Sequence, residues 1–69
     1  MYNIIDEYDR RFAEDAAAAK RLYNAAVALM DDDLRESLHN EIAPCTDREF
    51  LVAYCAAHSD KYGEEFEVN

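Results

Sequence analysis

IDEYDRRFAEDAAAAKRLYNAAVALM, residues 5–30, is the stretch whose reading decides the fold. Ile5, Tyr8, Phe12, Ala16, Ala19, Tyr23, Ala26 and Met30 recur in it at steps of 3, 4, 4, 3, 4, 3 and 4. A spacing close to 3.6 puts these side chains on one stripe of an amphipathic α-helix. Asn3 can cap its start, with Asp6 three residues on as a short variant of the capping box. Asp6 and Glu7 sit where the helix dipole is positive. Asp6 with Arg10 and Glu7 with Arg11 are four-residue pairs in the favoured order, each adding only ~0.3–0.5 kcal/mol. A helix from Ile4 to Met30 would be about 40 Å long at ~1.5 Å per residue. Its middle, Ala16 to Ala19, lacks large side chains, so another helix can approach closely there. That neighbour is either a second copy of the chain, in a homodimer seam, or the chain's own later helices packing back.

The rest of the chain reads as two shorter helices and a tail. Asp31-Asp32-Asp33 opposes the dipole at a helix end and matches it at a helix start, so the chain restarts here. Asp33 and Glu36 form a candidate capping box, and Leu34, Leu38 and Ile42 a stripe behind it. Pro44 ends this second helix, and Ala43 before it is biased away from helical geometry. Thr46-Asp47-Arg48-Glu49 is a clear capping box for a third helix, with Cys45 on Phe50 as its hydrophobic staple. Phe50, Leu51, Tyr54, Cys55, His58 and Tyr62 share one broad face of that helix. Gly63 stands where a left-handed stop belongs. The tail Glu64-Glu65-Phe66-Glu67-Val68 alternates with period 2, which lets Phe66 and Val68 lie across the core or the segment fray.

Composition narrows the class. The 69 residues carry seven Lys plus Arg against sixteen Asp plus Glu, a formal net charge of −9. Such a chain cannot neutralise phosphates, so direct binding to nucleic acid or to an anionic membrane is not expected. No run of ~18 apolar residues is present to span a bilayer. Residues 1–7 lack the basic start and apolar stretch of a secretory signal. Half of the chain is apolar and 12% is aromatic, which separates it from a disordered acidic tail. One Gly and one Pro favour helices over a turn-rich sheet. A single domain over residues 1–69 buries only ~60% of its unfolded surface, and a partner subunit is the expected remedy.

Constellations for chemistry are thin. Two cysteines, Cys45 and Cys55, fit a reduced pair in the cytoplasm better than a secreted disulfide framework. Cys55 and His58 are three apart on one helix, but with His39 and Cys45 they match no zinc spacing. Cys45 before a helix N-terminus, with His39 nearby, lacks the oxyanion donors and Gly-rich turn of a nucleophilic site. The three aspartates lack the Gly turn and distal Glu of a calcium loop. No cofactor, metal or enzymatic activity is expected. Helices two and three resemble a helix-turn-helix in outline, yet the reading helix would start Asp47-Arg48-Glu49 and its acids would be repelled by phosphates.

The charge itself supports a positive reading. Carboxylates displayed on a helical scaffold can imitate a phosphate backbone and be drawn to basic grooves, with fast and salt-sensitive association. The alternative is that charge only keeps a small protein in solution.

Ile42-Ala43-Pro44-Cys45-Thr46-Asp47-Arg48-Glu49-Phe50-Leu51, followed by Tyr54, His58 and the tail from Gly63 to Val68, resembles small acidic proteins of phages and mobile elements in gut bacteria of the Firmicutes type. The likeness rests on capping and packing residues and transfers no functional ones. Proteins of that setting often inhibit host defence, anti-CRISPR proteins among them. The resemblance therefore implies an inhibitor working in the cytoplasm of a bacterial host cell.

The expectation is an all-α domain: one long N-terminal helix with two shorter helices packed on it and a short extended C-terminal tail, homodimeric through the long helix. Its partner would be a basic protein, a nucleic-acid-binding effector of a CRISPR system. The contact residues would be Glu14, Asp15, Asp31, Asp32, Asp33, Glu36, Glu41 and Asp47, with Tyr2 and Tyr62 as aromatic anchors. The alternative is a structural or regulatory homo-oligomer whose charge confers only solubility.

Overall fold

The amino-terminal stripe forms two helices rather than one. In the computed structural model, which describes residues 3–42 and 44–68, α1 spans Ile4–Glu14 and α2 spans Ala16–Leu29. Asp15 between them is extended, with φ −163° and ψ 117°. Its N–H donates to the Arg11 carbonyl at 2.8 Å, closing α1, and its carboxylate accepts the Ala17 N–H at 3.0 Å, opening α2. Aspartate competes for backbone N–H groups inside a helix and is favoured as an N-cap. The expected single rod is thereby corrected to a helix pair.

Packing explains the break. α1 buries Ile4 and Tyr8, while α2 buries Ala19, Leu22 and Ala26, with Met30 just beyond its end. Phe12 and Ala16, the stripe residues flanking Asp15, are exposed. A straight rod would carry half of its stripe past so small a core; the break turns both halves onto it. Ala19 and Ala26 are wholly covered, so small side chains serve close packing within the chain, whereas Ala16 and Ala17 face solvent.

Two further helices complete the core. α3 spans Asp32–Ile42 and α4 spans Asp47–Tyr62. Asp31, not Asp33, caps α3: its Oδ1 accepts the Asp33 N–H at 2.9 Å and the Leu34 N–H at 3.2 Å. Leu34, Leu38 and Ile42 are half-buried against the core, as their stripe predicts. Thr46 caps α4, its Oγ1 accepting the Glu49 N–H at 3.1 Å. Cys45, expected to cover Phe50, is exposed instead, and Ala43 lies outside the described residues. Gly63 closes α4 at φ 71° and ψ 17°, a left-handed conformation that a side chain would strain. At the start of α1, Asn3 caps as predicted, but Arg10 pairs with Glu7 rather than Asp6.

The tail crosses the core without forming a helix or strand, and Phe66 and Val68 are both buried. Phe66 meets Tyr54 edge-on, with ring centroids 4.8 Å apart. Tyr54 is fully buried, and its hydroxyl accepts the Asp31 backbone N–H at 2.7 Å, joining α4 to the α2–α3 junction. Cα atoms span 32 × 29 × 16 Å, so the molecule is a flattened body little thicker than two packed helices. Tyr54→Phe keeps the ring and removes the acceptor. Leaving that N–H without a partner is expected to cost about 1–3 kcal/mol, read as a lower urea midpoint at an unchanged slope.

Candidate protein-interaction surface

Six of the seven Lys and Arg side chains are ion-paired within the chain. Arg10 and Arg11 both reach Glu7, and Lys20 meets Asp47 at 2.9 Å. Arg35 meets Asp32 at 3.0 Å, and Lys61 meets Asp31 at 3.3 Å. Arg48 grips both oxygens of Asp9, at 2.8 and 3.1 Å. Arg21 is the remaining cation, with no ion pair among the described residues. These solvated pairs add little stability. Their consequence is electrostatic, because they neutralise Lys and Arg within the molecule and leave the unpaired acids to set the outward field.

The predicted contact residues divide accordingly. Glu14, Asp33, Glu36 and Glu41 are exposed and form no ion pair among the described residues. Asp33 and Glu36 are three apart and Asn40 four further on, so they share one solvent face of α3, with Glu41 beside it. Asp32 is paired with Arg35 yet keeps a side chain 88% exposed. Asp15 is the cap between α1 and α2. Asp47 is half-buried against Lys20. Tyr2 lies outside the described residues.

Asp31 is the most engaged of the set. Besides capping α3, its second oxygen accepts the Tyr62 hydroxyl proton and faces the Lys61 ammonium. The Tyr62 hydroxyl, the Leu34 N–H and Lys61 together pull its carboxyl from 3.8 down to about 2. The same bond pushes the Tyr62 phenol up. The Tyr62 ring, 47% exposed, rests 4.7 Å from the half-buried His58 ring. His58 donates from Nδ1 to the Glu64 carbonyl at 3.1 Å, tying the tail to α4. Tyr8, by contrast, is a core residue.

No group of three or more His, Cys, Asp or Glu is placed to hold a metal ion among the described residues. Both thiols are free, and burial pushes the Cys55 thiol up, away from thiolate reactivity. Among the described residues, two shallow concavities stand out. A groove of about 450 Å³ separates α2 from α3, with Asn24, Arg35, Glu36 and Asn40 on its walls. A cleft of about 260 Å³ lies between α1, α4 and the tail. This cleft escaped sequence reading, since it exists only once the tail is laid against the two helices. No helix among the described residues is long and apolar enough to cross a membrane.

The fold and surface define a small helical protein with most of its cations engaged in surface ion pairs and a set of exposed, unpaired carboxylates, and comparison with known families gives its class a name. The model of the anti-CRISPR protein AcrIC5 matches residues 14–66, from the end of α1 to Phe66 in the tail. The chain belongs to this anti-CRISPR family, and with it to the inhibitors of CRISPR defence. No curated protein and no solved structure gives a match.

Because the Asp31 carboxyl is depressed in the fold, its stabilising contribution is present above the unfolded value near 3.8 and is lost as pH falls through about 2. Asp31→Asn is therefore expected to be less stable at neutral pH and to show a flatter loss of stability on acidification. Urea midpoints measured from pH about 5 down to about 2 check both effects.

Proposed function

We propose that the chain is a non-enzymatic inhibitor that occupies a basic, nucleic-acid-binding surface of a CRISPR effector. Its carboxylates take the Lys and Arg sites that phosphates would otherwise fill, by occlusion or by imitation of the nucleic-acid backbone. The observation that carries this reading is the solvent face of α3, where Asp33, Glu36 and Glu41 are exposed and without an ion pair among the described residues, while Arg35 is engaged by Asp32. Glu14, Asp32, Asp33, Glu36 and Glu41 are the outward contacts, with Tyr62 as an aromatic anchor. Asp15, Asp31 and Asp47 belong to the same field while also serving the fold. The setting implied by the sequence resemblance, a phage or mobile element, fits an inhibitor acting in the bacterial cytoplasm.

A field of this kind acts over roughly 8–10 Å at physiological salt and fades as salt rises. The combined Asp33→Lys, Glu36→Lys and Glu41→Lys variant touches no cap and no ion pair described above, so its helical content should be kept. It is expected to weaken capture of the effector roughly tenfold or more, and wild-type capture should fall steeply between low and high salt. Undiminished inhibition by this variant, at wild-type helicity, removes the acidic-face reading.

The alternative is a structural or regulatory homo-oligomer whose charge only keeps it in solution. Phe12 and Leu29, more than half exposed on the first helix pair, would be its contact residues. Sedimentation as a monomer at micromolar concentration disposes of that reading and of the homodimer together.

A further inference from the structure

The cleft between α1, α4 and the tail has a composition suited to one kind of guest. Its floor is apolar, with Ile4 and Phe66 buried and Ile5 half-buried. Cys55 and Ser59, four apart on α4, form one wall, and exposed Glu65 stands on the rim. Glu65 has no ion pair among the described residues, and it lies near enough to Cys55 for its charge to add to burial in pushing the thiol up. Pockets for cofactors or drug-sized ligands run to ~300–1,000 Å³ and close over their contents. At about 260 Å³ and open to solvent, this one falls below that range and has room for a side chain.

Charge and shape select which side chain. A long aliphatic stem can cover an apolar floor while its charged head stays at a wet rim. The amino end of α1 also borders the cleft, and its positive dipole would oppose a cation. That end is already quenched: Asn3 accepts the Ile5 and Asp6 N–H groups, and Asp6 and Glu7 occupy the first turn. Glu65 is left as the charge the cleft presents.

We propose that this cleft receives one lysine side chain of the CRISPR effector, its methylenes on Ile4, Ile5 and Phe66 and its ammonium between the Glu65 carboxylate and the Ser59 hydroxyl. The proposal rests on the reading that the partner surface is basic, and adds to it a contact at the cleft, away from the α3 face.

Cys55 supplies a reporter that needs no partner. In Cys45→Ser it is the sole thiol of the chain. Two alkyl methanethiosulfonates of equal length are compared, one ending in an ammonium and one in a sulfonate. The Cys55 thiolate attacks the reagent sulfur, forming a mixed disulfide and releasing methanesulfinate. The net charge alone favours the cationic reagent, so the informative quantity is how the rate ratio changes on substitution. Glu65→Gln is expected to lower the ratio about fivefold, and the remote control Glu36→Gln much less. Equal drops in the two variants overturn the proposal.

Inhibition then separates the two levels of the reading. Glu65→Lys, a change at an exposed position checked by circular dichroism, is compared with the α3 reversal variant in a CRISPR-bearing host. Loss of inhibition in both supports the lysine site. Loss only with the α3 variant removes the cleft and keeps the basic-partner reading. Loss only with Glu65→Lys keeps the cleft and removes the α3 face. Inhibition surviving in both overturns both.

Discussion

One carboxylate holds the helices in register. Asp31 sits where α2 hands over to α3, and each part of it is bonded: Oδ1 to the first N–H groups of α3, Oδ2 to Tyr62 and Lys61 at the end of α4, and its own N–H to Tyr54 in the middle of α4. A body 16 Å thick has little apolar volume with which to orient its helices. Directional bonds at a junction do part of that task, because hydrogen bonds specify angle and distance where apolar contact specifies mainly area. The aromatic row of Phe66, Tyr54, His58 and Tyr62 runs from the core to the surface beside this junction. The exposed Tyr62 ring is therefore fixed at its hydroxyl by Asp31 and at its face by His58.

The same economy governs charge. Lys20 and Asp47 are 27 residues apart in sequence, and Arg48 and Asp9 are 39 apart, so these pairs tie α4 to the first helix pair. Each adds little to stability in water. Together they occupy Lys20 and Arg48 with carboxylates of this same chain, so the unpaired acids set the net negative charge of the surface. For an inhibitor of CRISPR defence, such a surface favours encounter with basic grooves and disfavours encounter with nucleic acid itself.

Much of this was legible in the sequence, and what was not has specific causes. Asn3, Thr46 and Gly63 carried their capping roles openly, since each is the residue type its backbone geometry favours. The alternation of Phe66 and Val68 allowed either a tail laid on the core or a frayed one, and the structure shows the first. The break at Asp15 was hidden because the apolar spacing continues across it and neither Gly nor Pro marks it; only the capping preference of aspartate hinted at it. Asp31 and Asp33 could not be told apart as caps within a run of three identical residues. The long-range ion pairs, and the cleft beside Glu65, arise from how the elements are brought together, which no local pattern encodes. On the interaction surface, charge was readable, but which carboxylates are spent on internal partners was not.

The buried tail has a consequence for biosynthesis. Ile4 leaves the ribosome roughly sixty residues before Phe66, several seconds at ~5–20 residues per second, and both belong to one core. Until Phe66 and Val68 emerge, the nascent chain carries a half-covered apolar face with nothing to close it. Mutual repulsion among its carboxylates would then discourage neighbouring nascent copies from clumping, so a surface suited to a basic target would also protect the polypeptide during translation.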